Sequence, residues 1–214
     1  MGPHGRHGQP RERARAHGRG RPRSRRADAA ILDAALRHLR THGYDGLSME
    51  QVAADAGVGK ATLYRRYRNR ADLASTALAA VTADEFERAP MPDATREALI
   101  DHLIRFERCT GQIGLDVVAS LLGERSDPEL LALHRERVVS RGRARARSIL
   151  HRAQERDEIR ADADLDAAME MLIGSLFARR LAGRDGPGWP ETAVDTLMRG
   201  LGTPGGPARY PAGP

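Results

Sequence analysis

Apolar residues recur at spacings of three and four along most of the chain, and no β-branched run alternates with period two, so the pattern predicts helices and no strand. The first helix is expected to open at Asp28 as N-cap, to bury Ile31, Leu32, Ala35, Leu36 and Leu39, and to stop at Gly43. Ser48 followed by Gln51 forms a capping box, with Leu47 and Val52 as a hydrophobic staple, which fixes the entry of a short helix from Met49 to Ala56. Gly57 ends it, because the left-handed backbone of such a stop costs little only for glycine. A third helix is expected from about Lys60 to Tyr67, and Asn69 caps a fourth over roughly Arg70 to Arg88. Further helices are predicted from Asp93 to about Cys109, from Leu115 to Leu122, from the Asp127-Pro128 start to about Arg156, from Asp164 to Arg184 and from Pro190 to Leu201. The fold class is all-α, with about nine helices and no repeat.

The segment from Leu47 to Tyr67 has the parts of a helix-turn-helix. Small Ala53 lets two helices approach, Gly57 makes the turn, and Val52, Val58 and Leu63 set their crossing. Lys60, Ala61, Thr62, Tyr64 and Arg65 are then left near the start or on the outer side of the second helix, which a DNA major groove about 12 Å wide can admit. Tyr67 reads as core and Arg66 as facing solvent, while Ser48 fits two roles equally, a helix cap and a phosphate contact.

Charge sharpens this. The 214 residues carry a net charge of +6, but residues 1–26 hold nine Arg against one Glu, so the remainder is slightly acidic. The high overall basicity therefore belongs to an arm expected to be disordered, and such arms bind any polyanion weakly. Residues 47–70, by contrast, hold five basic residues against two acidic ones inside that acidic body. Lys60, the single Lys of the chain, lies there. Cys109 is the single Cys, which excludes an internal disulfide and fits a reducing cytoplasm. No apolar run suits a membrane helix, so a membrane partner is not expected.

The stretch from Leu47 to Leu73, with Gly57-Val-Gly-Lys-Ala-Thr-Leu-Tyr-Arg-Arg-Tyr67 and the following Asn69-Arg-Ala-Asp-Leu73, resembles the DNA-binding domain of TetR-family transcriptional regulators. The resemblance implies a cytoplasmic homodimer with an N-terminal three-helix DNA-binding domain and a C-terminal helical domain for ligand binding and dimerisation. It implies a regulator, most often a repressor, that holds a palindromic double-stranded operator and is released by a small-molecule effector. Family DNA contacts carry over to Ser48, Lys60, Ala61, Thr62, Tyr64 and Arg70. Gly59 stands where Ser or Thr is common, and Ala61 where Gly is common, so base preference does not carry over.

The domains are then a basic arm at 1–26, the DNA-binding domain at 27–72 with helix four (about 70–88) as connector, the ligand and dimer domain at 73–201, and a Gly/Pro tail at 202–214. In the family arrangement the last two long helices pair with their copies across a twofold axis, for which Met169, Leu172, Ile173, Leu176, Val194, Leu197 and Met198 offer apolar stripes. Candidate pocket residues are Leu99, Leu103, Phe106, Val117, Leu121 and Met169, suited to an apolar or amphipathic effector. Arg residues from 135 to 147 read as a solvated face. Gly59-Lys60 lacks the first Gly and the Ser/Thr of a phosphate loop, and Asp162, Asp164 and Asp166 lack the Gly and closing Glu of a calcium loop. No catalytic group, metal site or cofactor is expected. Two other classes stay open on the residues: a nucleoid-type protein binding DNA without sequence preference, and a helical enzyme or carrier with a vestigial helix-turn-helix.

Overall fold

The computed structural model describes residues 21–87, 90–122, 127–184 and 186–202; the sequence-based arm and tail otherwise lie outside the described residues. Nine helices are labelled here in chain order: α1 (Arg21–His42), α2 (Met49–Asp55), α3 (Lys60–Tyr64), α4 (Arg70–Phe86), α5 (Thr95–Ile113), α6 (Leu115–Leu122), α7, α8 (Leu165–Leu181) and α9 (Trp189–Leu201). α7 joins Pro128–His134 to Ser140–Glu155 through a π-helical turn, Arg135–Val139. Among the described residues there is no strand, only an isolated bridge between Ile159 and Gly202.

Several ends follow local chemistry as expected. The Asn69 side chain accepts the Asp72 N–H at 2.9 Å, Asp127 accepts from Glu129 at 2.9 Å, and Asp164 accepts from Asp166 and Ala167 at 3.0 Å. Others differ. α1 starts at Arg21, so Asp28 lies within the helix instead of capping it, and residues 21–26 belong to a helix and not to the arm. A helix nucleated by the buried Ile31, Ala35 and Leu39 propagates cheaply into Arg-rich sequence, and Pro22 is tolerated in the first turn. α5 is capped at Ala94 rather than Asp93 and runs past Gly111 to Ile113, where burial of Ile113 offsets the roughly 1 kcal/mol that an interior Gly costs.

The buried side chains form two clusters. One joins α1–α4 to α6 and the start of α7, through Ile31, Leu39, Val52, Leu63, Leu73 and Leu78 with Val117, Leu121 and Leu130. The other joins α5, the later part of α7, α8 and α9, through Leu99, Leu103, Ile149, Leu150, Met169 and Met198. α7 serves both, and its π turn lies between the segment that packs on the first cluster and the segment that packs on the second. The bidentate Arg96–Asp195 pair, at 2.6 and 3.0 Å, ties α9 to α5.

A buried polar knot sits where α4, α5 and α7 meet. Arg145 donates to the Phe86 and Pro90 carbonyls at 3.3 and 3.1 Å and to Asp101 at 3.1 Å, while Arg105 donates to Asp101 at 2.7 Å. His102 stacks on Phe86 with ring centroids 5.1 Å apart, and its Nδ1 has no hydrogen-bond partner. Burial, then the charge of Arg145, lowers its pKa from 6.5 to about 4; Asp101 opposes this and Arg105 adds to it. Since the unfolded chain takes up the proton first, stability is full above the unfolded value and falls as pH drops from 6.5 toward 4. The expected loss from this group between pH 7 and 5 is about 2 kcal/mol. His102→Leu should remove it, measured as a smaller shift of the urea midpoint between those two pH values than in the parent; an unchanged shift would contradict the assignment.

Candidate nucleic-acid interface

The α2–α3 unit is built from local bonds. Ser48 caps α2 by accepting the Gln51 N–H at 3.4 Å, Gly57 takes φ +65°, and the Val58 N–H returns to the Ala53 carbonyl at 3.0 Å. Val52, Ala53 and Leu63 are buried between the helices. α3 is a short α-helix, Lys60–Tyr64, and its backbone bonding continues through Tyr67, whose N–H reaches the Leu63 carbonyl at 3.0 Å. Tyr67 is core, as its position suggested.

With Leu63 and Tyr67 facing inward, the opposite side of α3 is open. Lys60, Ala61, Tyr64 and Arg65 are exposed and Thr62 is half-buried, so the structure brings these five expected residues onto one outer face beside Ser48. Arg70 is not placed with them. Its guanidinium lies 4.1 Å over the Tyr44 ring and donates to the Asp45 carbonyl at 3.1 Å, which turns it toward the α1–α2 loop. Arg66 does not face open solvent either: it pairs with Asp28 of α1 at 2.5 Å. Of the two acids in this segment, Asp55 meets His38 of α1 at 2.7 Å, whereas Glu50 stays on the open face.

A second set of contacts joins this unit to α7. Tyr44 donates to Asp127 at 2.6 Å, and Asn69 donates to both oxygens of Glu129 at 3.1 and 3.0 Å. Burial, then the Asp127 bond, pushes the Tyr44 hydroxyl up to about 12. From the π turn, Arg137 Nη1 reaches Asp72 Oδ1 at 2.8 Å and the hydroxyls of Ser75 and Thr76 at 2.9 Å. The other Asp72 oxygen accepts the Arg68 N–H at 2.9 Å, just beyond α3. The expectation of a solvated arginine face holds for the exposed Arg135, Arg141 and Arg147 and is corrected for two others: Arg137 grips the start of α4 and Arg145 holds its end, with Arg141 pairing with Glu87 at 3.1 Å between them. Their spacing of four residues was visible in the sequence and places them on one face of the helix; what lay opposite was not.

The family model described as "Tetracyclin repressor-like, C-terminal domain" matches residues 89–199, and that for "Bacterial regulatory proteins, tetR family" matches residues 31–77. The chain belongs to the TetR family. It is similar to the HTH-type transcriptional regulator YdeS of Bacillus subtilis (strain 168), 28% identical over 76% of this chain and 82% of that protein. It is 31% identical to the HTH-type regulator Rv1556 of Mycobacterium tuberculosis (strain ATCC 25618 / H37Rv), over 72% of this chain and 76% of that one. The crystal structure of the TetR family transcription regulator SCO0332 superposes with a TM-score of 0.61 at 27% identity, covering 83% of this chain and 99% of its own. This TetR-family protein is a DNA-binding transcriptional regulator with a C-terminal ligand-binding domain. No helix among the described residues is long and apolar enough to cross a membrane.

Within that C-terminal domain the expected residues divide. Val117 and Leu121 lie in the core of the DNA-binding side, away from Leu99, Leu103 and Met169, so the six pocket candidates do not converge. α6 packs its Val117 and Leu121 with α1, α4 and the start of α7 instead. Phe106, partly buried, meets Phe177 edge to face at 5.9 Å. Met169, Leu172, Leu176, Val194 and Met198, expected at a dimer contact, are buried within the single chain, whereas Ile173 and Leu197 are only partly covered. A stripe of apolar residues does not name its partner. The open face of α8 and α9 presents Met171, Ser175, Thr192, Ala193 and Thr196, with the expected Leu172 and Leu197, around a groove of about 610 Å³.

Proposed function

We propose that this TetR-family regulator acts in the cytoplasm as a homodimeric repressor, holding a palindromic operator through paired α3 helices and releasing it when a small molecule binds the C-terminal domain. No catalytic step is part of this reading. The observation that carries it is the anchoring of α3 by Leu63 and Tyr67, which leaves Lys60, Ala61, Thr62, Tyr64 and Arg65 outward. Two copies joined along α8 and α9 would offer two such faces, as required for half-sites about 34 Å apart. An apolar or amphipathic effector fits best between α5 and α8, where Phe106 and Phe177 remain incompletely covered. Its influence would reach DNA through α7, whose Arg137 and Arg145 hold the two ends of α4. A coupling of about 1–3 kcal/mol would lower operator affinity roughly 5- to 150-fold.

Selection of genomic fragments by the purified protein under competitor DNA tests the reading. One inverted repeat, retained at moderate salt, is the expected result. A binder governed by phosphate charge alone would enrich no symmetric sequence and would lose affinity uniformly as salt rises. Lys60, with two-thirds of its side chain exposed (67%) and only a loose 3.9 Å approach to Glu50, has the reach for a base edge. Lys60→Ala should weaken operator binding by about 1–3 kcal/mol while changing competitor binding much less; an equal loss on both would place Lys60 on phosphate and remove it from sequence reading.

A further inference from the structure

The open face of α2 and α3 is basic except at its centre. Glu50 Oε1 accepts the Tyr64 hydroxyl at 3.2 Å and lies 3.9 Å from Lys60 Nζ, while its Oε2 accepts the Ser48 hydroxyl at 3.4 Å. Three of the side chains expected to meet DNA thus converge on one carboxylate, whose own side chain is 50% exposed. Its hydrogen bonds, from its own N–H first and Tyr64 next, keep it below the usual carboxylate range and therefore ionised at neutral pH.

An ionised carboxylate held against a polyanion is repelled by phosphate, and the repulsion is offset only where a donor meets it. The major groove offers two such donors, the exocyclic amino groups of cytosine and adenine. Adenine sets its N7 acceptor beside the amino group, opposite the second carboxylate oxygen, which favours an amide over an acid. Cytosine has a C–H at that place, so a carboxylate is tolerated. Guanine and thymine present acceptors to the same position. Tyr64 and Lys60 also fix the carboxylate from the α3 side, so it is positioned before DNA arrives.

We propose that Glu50 is a specificity-determining residue that accepts a hydrogen bond from a cytosine amino group in each operator half-site. The inference rests on the reading of α2–α3 as the operator-binding surface. Parallel selections from randomised duplex DNA by the full chain, Glu50→Ala and Glu50→Gln test it. The parent chain should show cytosine at one position per half-site, preferred by roughly fivefold, the low end of the base-contact range because the contact is a single hydrogen bond. Glu50→Ala should reduce that preference to within about twofold at this position alone and raise affinity for unrelated DNA. Glu50→Gln should move the preference to adenine, since an amide can donate to N7 while accepting from the amino group.

An enriched motif whose every position survives Glu50→Ala, with only a uniform change in affinity, overturns the assignment and leaves the operator reading intact. Failure of the parent chain to enrich any motif overturns the operator reading, and this inference falls with it. If circular dichroism shows that Glu50→Ala has lost helix, the similarly shaped Glu50→Gln decides alone: retained cytosine overturns the assignment, and a switch to adenine supports it.

Discussion

Arg137→Met is expected to lower stability by about 2–3 kcal/mol and to loosen the hold of α7 on α4. The guanidinium places one nitrogen against Asp72, Ser75 and Thr76, all on the first turns of α4. The Asp72 side chain is only 11% exposed, so removing Arg137 leaves a largely desolvated carboxylate held by Arg68 alone, through its N–H at 2.9 Å and its exposed guanidinium at 3.8 Å. Breaking a fully buried pair in this way costs about 3–5 kcal/mol; Arg137 is partly in contact with water, which places the expected value lower. Acid should erase the difference. Burial acts to raise the pKa of Asp72, but the Arg68 N–H and Arg137 together outweigh it and leave the net shift downward. A carboxylate lowered in the folded state contributes stability that is complete above its unfolded value of about 4 and is lost as pH falls through the lowered one. Urea midpoints of parent and variant should therefore differ clearly at pH 7 and converge as pH falls through the lowered value of Asp72. On the proposed function, the same variant should bind operator with less response to effector, because Asp72 bonds both Arg137 of α7 and the Arg68 N–H after α3. Equal midpoints at pH 7 would show that the clamp contributes nothing.

What could be read from the sequence follows the range of the forces involved. Ser48, Gly57, Asn69 and Asp127 were legible because a cap or a left-handed stop is settled within a few residues of chain, and each does what its residue type predicts. The inward set Val52, Leu63 and Tyr67 was legible for the same reason, and with it the outward set on α3. Features set by a distant partner were not. The early start of α1 depends on helix propagation from a packed centre, the π turn on two cores pulling on one helix, and the positions of Arg66 and Arg70 on Asp28 and Tyr44. Glu50 passed unnoticed because its i+10 and i+14 neighbours, Lys60 and Tyr64, lie across the turn. The face of α8 and α9 shows a further limit. Its lining mixes Ser, Thr and Ala with Met and Leu, so the apolar stripe reached it at Leu172 and Leu197 but missed the exposed Met171.

That outer face yields the other large expected effect. Met171→Lys should leave the fold intact and abolish dimerisation, raising the dimer dissociation constant at least about 100-fold. Met171 is 67% exposed on a single chain, so a helix-forming Lys there disturbs no core contact. In a twofold assembly built on this patch, one substitution introduces two like charges into one interface. Desolvating them costs several kcal/mol, more than the 2.7 kcal/mol that a 100-fold change in dissociation constant represents. The small side chains around the groove, Ser175, Ala193 and Thr196, allow close helix approach, and Arg179 and Arg184 on its lining add no acidic partner for a new cation. Sedimentation velocity at micromolar concentration should show a dimer for the parent and a monomer for Met171→Lys, and the variant should occupy operator half-sites independently. Met169→Ala supplies the contrast: that side chain is 3% exposed within the chain, so its loss should cost about 2–4 kcal/mol of stability while the remaining folded protein keeps its dimer. If Met171→Lys sediments as a dimer, the pairing surface lies elsewhere on the molecule, and the groove between α8 and α9 is free for another role.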